Sequence, residues 1–253
     1  MQDPLFDVVE KVVFVAGGAR GIGRALGHEL ALRGAHVVIA DRLSDEGEQV
    51  VEALPGTGHG FQLLDLTDHA GVENAITATR ARFGRVDVVL NSAGIANIGP
   101  ALDLSIEDFE RTMAVNVTGA FVLSRYAMQV MREQGEGRII HLASVSSRVV
   151  NPSYAAYSSS KAALSQLVKI LALEWAGQGI TVNAIGPAMT ATPLTERQLL
   201  ADKDSRERAL GKIPMGRFGT PEDLLGVTLL LASAAGAFIT GQTIFVDGGR
   251  TLV

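Results

Sequence analysis

Val12-Val-Phe-Val-Ala-Gly-Gly-Ala-Arg-Gly-Ile-Gly23 decides the fold class. Five apolar, β-favouring residues run into a cluster of glycines, and a helical pattern follows. The spacing is Gly17-x-x-x-Gly21-x-Gly23. Glycines at such a turn permit tight reversal, close approach of backbone to a pyrophosphate, and packing of helix on strand. The start of the helix then offers N–H groups and the positive end of its dipole to an anion. A second apolar run, residues 36–40, ends at Asp41, 18 residues beyond Gly23. A carboxylate there accepts hydrogen bonds from the ribose hydroxyls of an adenosine and repels a 2′-phosphate, which points to NAD. Arg20 and Arg42 are the opposing signal, since either can pair with a 2′-phosphate.

Outward from this unit the same alternation continues. Short apolar runs fall at 12–16, 36–40, 60–64, 86–90, 138–143, 180–184 and 243–246. Amphipathic patterns fall between them at 22–33, 44–54, 70–83, 106–134, 154–178 and 221–234. Strands apolar on both faces, alternating with helices, predict an α/β fold: one Rossmann-like doubly wound parallel sheet of about seven strands, with helices on both faces. No linker divides the chain, so residues 1–253 read as a single domain. The polar stretch 190–212 breaks the rhythm and reads as a substrate lid. Residues 224–246 carry no charge, but glycines and polar residues interrupt them, so they read as buried helix, turn and strand rather than a membrane span.

Composition narrows the function classes. Lys plus Arg is 22 against 27 Asp plus Glu, a net charge of −5 that disfavours nucleic acid as a partner. The chain has no cysteine, which removes disulfides, thiol catalysis and thiolate metal sites and agrees with a cytoplasmic location. Residues 1–11 carry Asp3, Asp7 and Glu10 without a basic leader region and do not read as a secretory signal.

Asp65-Leu66 ends the third strand and Asn91-Ser92-Ala93-Gly94 the fourth, both at the carboxyl edge where ligands bind in this architecture. Tyr157-Ser-Ser-Ser-Lys161 opens a long helical pattern, and the four-residue spacing puts Tyr157 and Lys161 on one face. A phenol with an ordinary pKa near 10 is a poor proton-transfer group at neutral pH, and a neighbouring ammonium is expected to lower it. Ser144, at the end of the preceding strand, is placed to hold the same substrate oxygen. No metal is needed for this chemistry.

Taken in order, these motifs resemble the short-chain dehydrogenase/reductase family over residues 11–249. Asn116 in Met113-Ala-Val-Asn-Val117, Asn183-Ala-Ile-Gly-Pro187 and Val246-Asp-Gly-Gly249 complete the match. The resemblance implies a catalytic tetrad of Asn116, Ser144, Tyr157 and Lys161. Asn116 would hold a water linking Lys161 to solvent, and Lys161 would bind the nicotinamide ribose. It implies NAD contacts from Gly17, Arg20, Gly21, Ile22, Gly23, Asp41, Arg42, Asp65, Leu66, Asn91, Ala93, Gly94, Tyr157, Lys161, Pro187, Met189, Thr190 and Thr192. It also implies a homotetramer in which the two longest helices pack across a dimer interface. Two positions depart from the family pattern: Ala16 where a threonine is usual, and Ala188 where a glycine is usual.

For the substrate, Ser144, Ser146, Asn151, Ser153, Tyr154, Tyr157 and Asn97 are expected to face the pocket. Hydroxyls and amides there favour a hydrogen-bonding substrate over a steroid or acyl chain. Residues 89–96, 113–117 and 173–177 are also similar to the polyol dehydrogenases of the family, acting on substrates such as galactitol or threitol. The expectation is therefore NAD-dependent oxidation of a sugar alcohol to a ketose. The alternatives are a 3-oxoacyl-[acyl-carrier-protein] reductase, against which Asp41 and the negative charge weigh, and a dinucleotide sensor without turnover, against which the intact tetrad weighs.

Overall fold

The computed structural model describes residues 4–192, 195 and 203–253; the remainder of the expected lid lies outside the described residues. Seven parallel strands form one sheet in the order β3-β2-β1-β4-β5-β6-β7. They are β1 Val12–Ala16, β2 His36–Asp41, β3 Gly60–Leu63, β4 Val88–Asn91, β5 Gly137–Leu142, β6 Ile180–Pro187 and β7 Thr243–Val246. The chain runs outward from β1 to β3, then returns to the far side of β1 at β4. That reversal leaves a crevice at the carboxyl ends of β1 and β4.

Side-chain alternation divides the core into two layers. Phe14, Ala16, Val38, Ala40 and Val89 meet α3 (His69–Phe83), α5 (Ala120–Gln134) and α6 (Ala155–Trp175) through Ile76, Leu123, Met131 and Val168. Val13, Val15, Val37, Ile39, Val88 and Leu90 face the other way, onto Leu26 and Leu30 of α1 (Gly21–Leu32), Val50 of α2 (Ser44–Glu52) and Leu231 of the helix Leu225–Ala232. Helix ends follow local chemistry. The Asp68 carboxylate accepts from Gly71 N at 3.0 Å to cap α3, which ends at Gly84 with φ +78°.

Three expectations shift. The fourth strand starts at Val88, not at residue 86, because the Asp87 carboxylate accepts from Val12 N and is clamped by Arg85 before the ladder to β5 begins. The pattern 106–134 is not one α-helix: α4 (Ile106–Met113) and α5 are joined by a π-helical segment, Ala114–Gly119. The wider turn carries Asn116, which is 2 % exposed and hydrogen-bonded inward. Hydrophobic periodicity does not register such an insertion, and π-turns concentrate at functional positions. β7 is half-buried rather than buried because it forms the edge of the sheet. Residues 224–246 do resolve into helix, turn and strand, and no helix among the described residues is long and apolar enough to cross a membrane.

Candidate active site

The glycine turn after β1 is a close fit between backbones. Gly17 sits at φ +75°, and a Cβ on it would lie 2.6 Å from Ala93 N; a Cβ on Gly23 would lie 2.2 Å from Gly17 O. The threonine hydroxyl absent at Ala16 is offset by main chain, since Gly17 N and Gly18 N both donate to Ala40 O, at 2.8 and 3.4 Å. Helix α1 begins without a side-chain cap, so its first N–H groups face the crevice. Asp41 ends β2 and folds back onto this turn, accepting from Ala19 N at 3.0 Å and Leu43 N at 3.2 Å. Arg20 is held by Glu46 through a two-pronged ion pair. Asp65 lies below the usual carboxylate range because the Thr67 N–H and hydroxyl both donate to it. A cradle of this shape fits a nicotinamide dinucleotide, with the pyrophosphate over Gly17–Gly23 and the adenosine ribose beside Asp41.

Next to it opens a cleft of about 790 Å³. Ser144, Tyr157 and Lys161 all line it, with Ile22, Gly94, Pro187, Met189, Thr190 and Thr192 on the nucleotide side. Ser144 Oγ accepts from Ser146 N at 3.1 Å, which fixes the hydroxyl at the start of a short 3₁₀ turn, and Tyr157 hydrogen-bonds to it. Lys161 Nζ stands 5.7 Å from the centre of the Tyr157 ring and donates to Leu142 O at 2.7 Å. Here the structure corrects the sequence-based expectation. Burial pushes the Tyr157 phenol above its ordinary value of 10, and the Ser144 hydrogen bond only partly opposes this. Burial likewise brings the Lys161 ammonium down to about 8. The ammonium faces the ring and donates to a carbonyl, and desolvation is the largest cause of the shift at both groups.

Asn116 is spent on structure. Its Oδ1 accepts from Ile95 N, and its Nδ2 donates to Ile95 O and Ser160 Oγ, each at 2.9 Å. Ser160 in turn donates to Tyr157 O. Asn116 therefore locks the strand β4 exit to the helix that carries Tyr157 and Lys161. Asn91 is buried as well: its Nδ2 lies 3.2 Å from His141 Nδ1, and its Oδ1 accepts from Ala93 N. His141 Nε2 lies 2.9 Å from Ser124 Oγ, whose proton goes to Ala120 O, so His141 carries its proton on Nε2. Burial drops His141 to about 3, with Lys161 adding repulsion.

Of the residues expected at the substrate, Ser146, Asn151, Ser153 and Tyr154 line the cleft, joined by apolar Ile95, Ile98, Met189 and Ile213. Tyr154 meets Tyr157 edge-on, with ring centres 6.1 Å apart. Asn97 does not reach it; its amide donates to Asp108 O at 3.2 Å and ties this loop to α4. His141, Ser160 and Glu46 escaped the sequence reading, because their partners lie 17 to 50 residues away. Arg208 and Lys212, which also line the cleft, had one signal, the polarity of 190–212; Arg250 lines it too and had none. Among the described residues no group of His, Asp or Glu is placed to hold a metal.

A family model described as enoyl-(acyl carrier protein) reductase matches residues 17–251. The D-threitol dehydrogenase of Mycolicibacterium smegmatis is 37% identical over 96% of this chain and 93% of its own. The 3-oxoacyl-[acyl-carrier-protein] reductase of Escherichia coli is 36% identical over 96% and 98%. The crystal structure of a gluconate 5-dehydrogenase from Burkholderia cenocepacia, in complex with NADP and tartrate, superposes with a TM-score of 0.95 at 33% identity, covering 99% of this chain and 98% of that one. Fold, cradle and cleft agree with these likenesses: the chain belongs to the short-chain dehydrogenase/reductase family, nicotinamide-dependent oxidoreductases acting on CH–OH groups.

Proposed function

We propose that the protein oxidises a secondary carbinol of a sugar alcohol to the ketose with NAD. The observation that carries this is the cleft itself, in which Ser144, Tyr157 and Lys161 stand beside hydroxyl- and amide-bearing walls from Ser146, Asn151, Ser153 and Tyr154. Buried polar groups reward a substrate that hydrogen-bonds them and penalise one that cannot. When bound, the nicotinamide supplies the hydride acceptor. Ser144 holds the reacting oxygen, Tyr157 takes its proton, and Lys161 carries positive charge beside the phenol. Burial holds Tyr157 above its ordinary value, so its proton-accepting form grows as pH rises, while Lys161, brought down to about 8, loses its charge over the same rise. Asn116 acts through Ile95 and Ser160, holding the helix in register. A water bound near this junction would complete a proton path from Lys161.

Asp41 supports NAD over NADP, and the Arg20–Glu46 pair adds to it, since one of the two cations that could meet a 2′-phosphate is already engaged; Arg42 is the other. The segment 190–212 is proposed as the lid; its helix Lys203–Leu210 already contributes Arg208 and Ala209 to the cleft. Exposed Phe109, Phe121 and Leu173 on α4, α5 and α6 support self-association, proposed as a homotetramer and tested by sedimentation.

The second reading is a 3-oxoacyl-[acyl-carrier-protein] reductase, favoured by the similar identity of the Escherichia coli relative. One panel separates the two: kcat/KM for C4–C6 polyols, simple aliphatic secondary alcohols and acetoacetyl thioesters, each with NAD and NADP cofactors. Preference for polyols with NAD+ supports the proposal, and preference for thioesters overturns its substrate.

A further inference from the structure

The far wall of the cleft is unusually charged. Its described lining includes Lys161, Arg208, Lys212 and Arg250 and no aspartate or glutamate. Among the described residues, Arg208, Lys212 and Arg250 make no ion pair with an acidic side chain, whereas Arg20, Arg33, Arg80, Arg85 and Arg217 each do. Instead Lys212 Nζ donates to Asn151 Oδ1 at 3.0 Å, and Arg250 Nη2 approaches the same oxygen at 3.5 Å. Two cations converge on one neutral carbonyl oxygen, which is a weaker acceptor than either can use. The other Arg250 nitrogen donates to Val253 O, and Arg208 to Ser205 Oγ.

The arrangement is held in place. Met215 N donates to Gly248 O, which fastens the segment carrying Lys212 to the turn carrying Arg250. Asp247, the nearest carboxylate in sequence to Arg250, is turned away and accepts from Gly249 N and Thr251 N. Asn151 belongs to a strained loop. Ser153, two residues on, has φ +71°, a left-handed conformation that a non-glycine residue adopts at a cost, and its carbonyl is gripped by Gly99 N at 2.9 Å.

We propose that this wall is an anion site, and that the polyol chain bears a carboxylate at the end away from the reacting carbinol. The carboxylate replaces the Asn151 oxygen as the shared acceptor of Lys212 and Arg250, with Arg208 closing over it. The substrate is then a polyhydroxy acid rather than a neutral sugar alcohol. This inference rests on the polyol reading and narrows it.

Matched pairs test it: threonate against threitol and gluconate against glucitol, equal in carbon number and differing by a carboxylate. The unaltered enzyme should favour the acid in kcat/KM by about tenfold or more, the value of one charge-assisted hydrogen bond. Lys212→Gln and Arg250→Gln should each cut the acid-to-polyol ratio about tenfold, through KM rather than kcat. Asn151→Asp should cut it too, because its own carboxylate then occupies the two cations. A preference for the neutral member, or a ratio unmoved by all three variants, overturns the anion site and leaves the polyol reading standing. Turnover confined to acetoacetyl thioesters or simple alcohols, or turnover of none of these compounds, overturns both.

Discussion

The two ends of the cleft are made of different material. At the nucleotide end the contacts are main chain: the turn Gly17–Gly23, the bare start of α1, and Asp41 folded back on Ala19 N. At the substrate end they are side chains from separate stretches, Ser144 to Lys161, Arg208 to Ile213, and Arg250. The first end is fixed by backbone geometry, which tolerates few sequences and serves one constant ligand part. The second depends on which side chains a stable frame happens to aim inward, so it changes substrate without changing fold. Joining them is a buried polar spine, Asn91–His141–Ser124 and Asn116–Ser160, that holds β4, β5, α5 and α6 in mutual register.

The largest effect expected falls at the meeting of the two ends. Tyr157→Phe keeps the ring and removes the proton carrier, so kcat should fall at least about 10²-fold. Dinucleotide affinity, measured by titration calorimetry, should hardly move. Comparable loss of affinity would show that the two ends are not separable in this way.

Gly23→Ala strikes the nucleotide end alone. Its methyl would lie 2.2 Å from Gly17 O, and neither backbone can retreat. We expect dinucleotide binding to weaken at least about tenfold and the fold to lose about 1–3 kcal/mol, read by calorimetry and urea unfolding. An unaffected affinity would mean that the cradle is looser than its backbone contacts indicate.

The spine between the ends has a pH signature. His141 falls from 6.5 to about 3 in the folded protein, so the unfolded chain takes up its proton first. Its contribution to stability is complete above pH 6.5 and is lost as pH falls from 6.5 toward 3. Between pH 7 and pH 5 the loss is up to about 2 kcal/mol, at roughly 1.4 kcal/mol per unit below 6.5. His141→Asn should be less stable at pH 7 yet show a shallower decline on acidification. Equal slopes for the two proteins would remove His141 from the account.

The smallest effect separates the charges around the ribose. Asp41→Ser should lower the NAD to NADP ratio of kcat/KM by about tenfold. Adding Glu46→Gln, which releases Arg20, should lower it further. If Glu46→Gln has no effect in the Asp41→Ser background, Arg20 does not reach the phosphate.

Much of this molecule was legible from short-range order. The seven strands, the glycine turn, Asp41, and the placing of Ser144, Tyr157 and Lys161 in one cleft follow from patterns spanning a few residues to one βαβ unit. Misreadings came where a side chain's fate depends on a distant partner. Asn97 was expected in the pocket and is held by α4; the break at Ala114–Gly119 was hidden inside an unbroken amphipathic pattern. Tyr157 was expected to be acidified by Lys161, but sequence proximity says nothing of solvent exclusion, and burial reverses the sign.

By itself, then, the sequence determined the parallel α/β sheet, the glycine turn and the placing of Tyr157 and Lys161 on one helix face, because strand burial, tight turns and i to i+4 helix spacing are local properties. Tertiary structure alone decided the upward shift of Tyr157 and the downward shift of His141, the locking role of Asn116, the pairing of Arg20 with Glu46, and the convergence of Lys212 and Arg250 on Asn151. Each of these arises between groups 21 to 99 residues apart or from the exclusion of water, and electrostatics in a desolvated site is set by the neighbours that packing brings together.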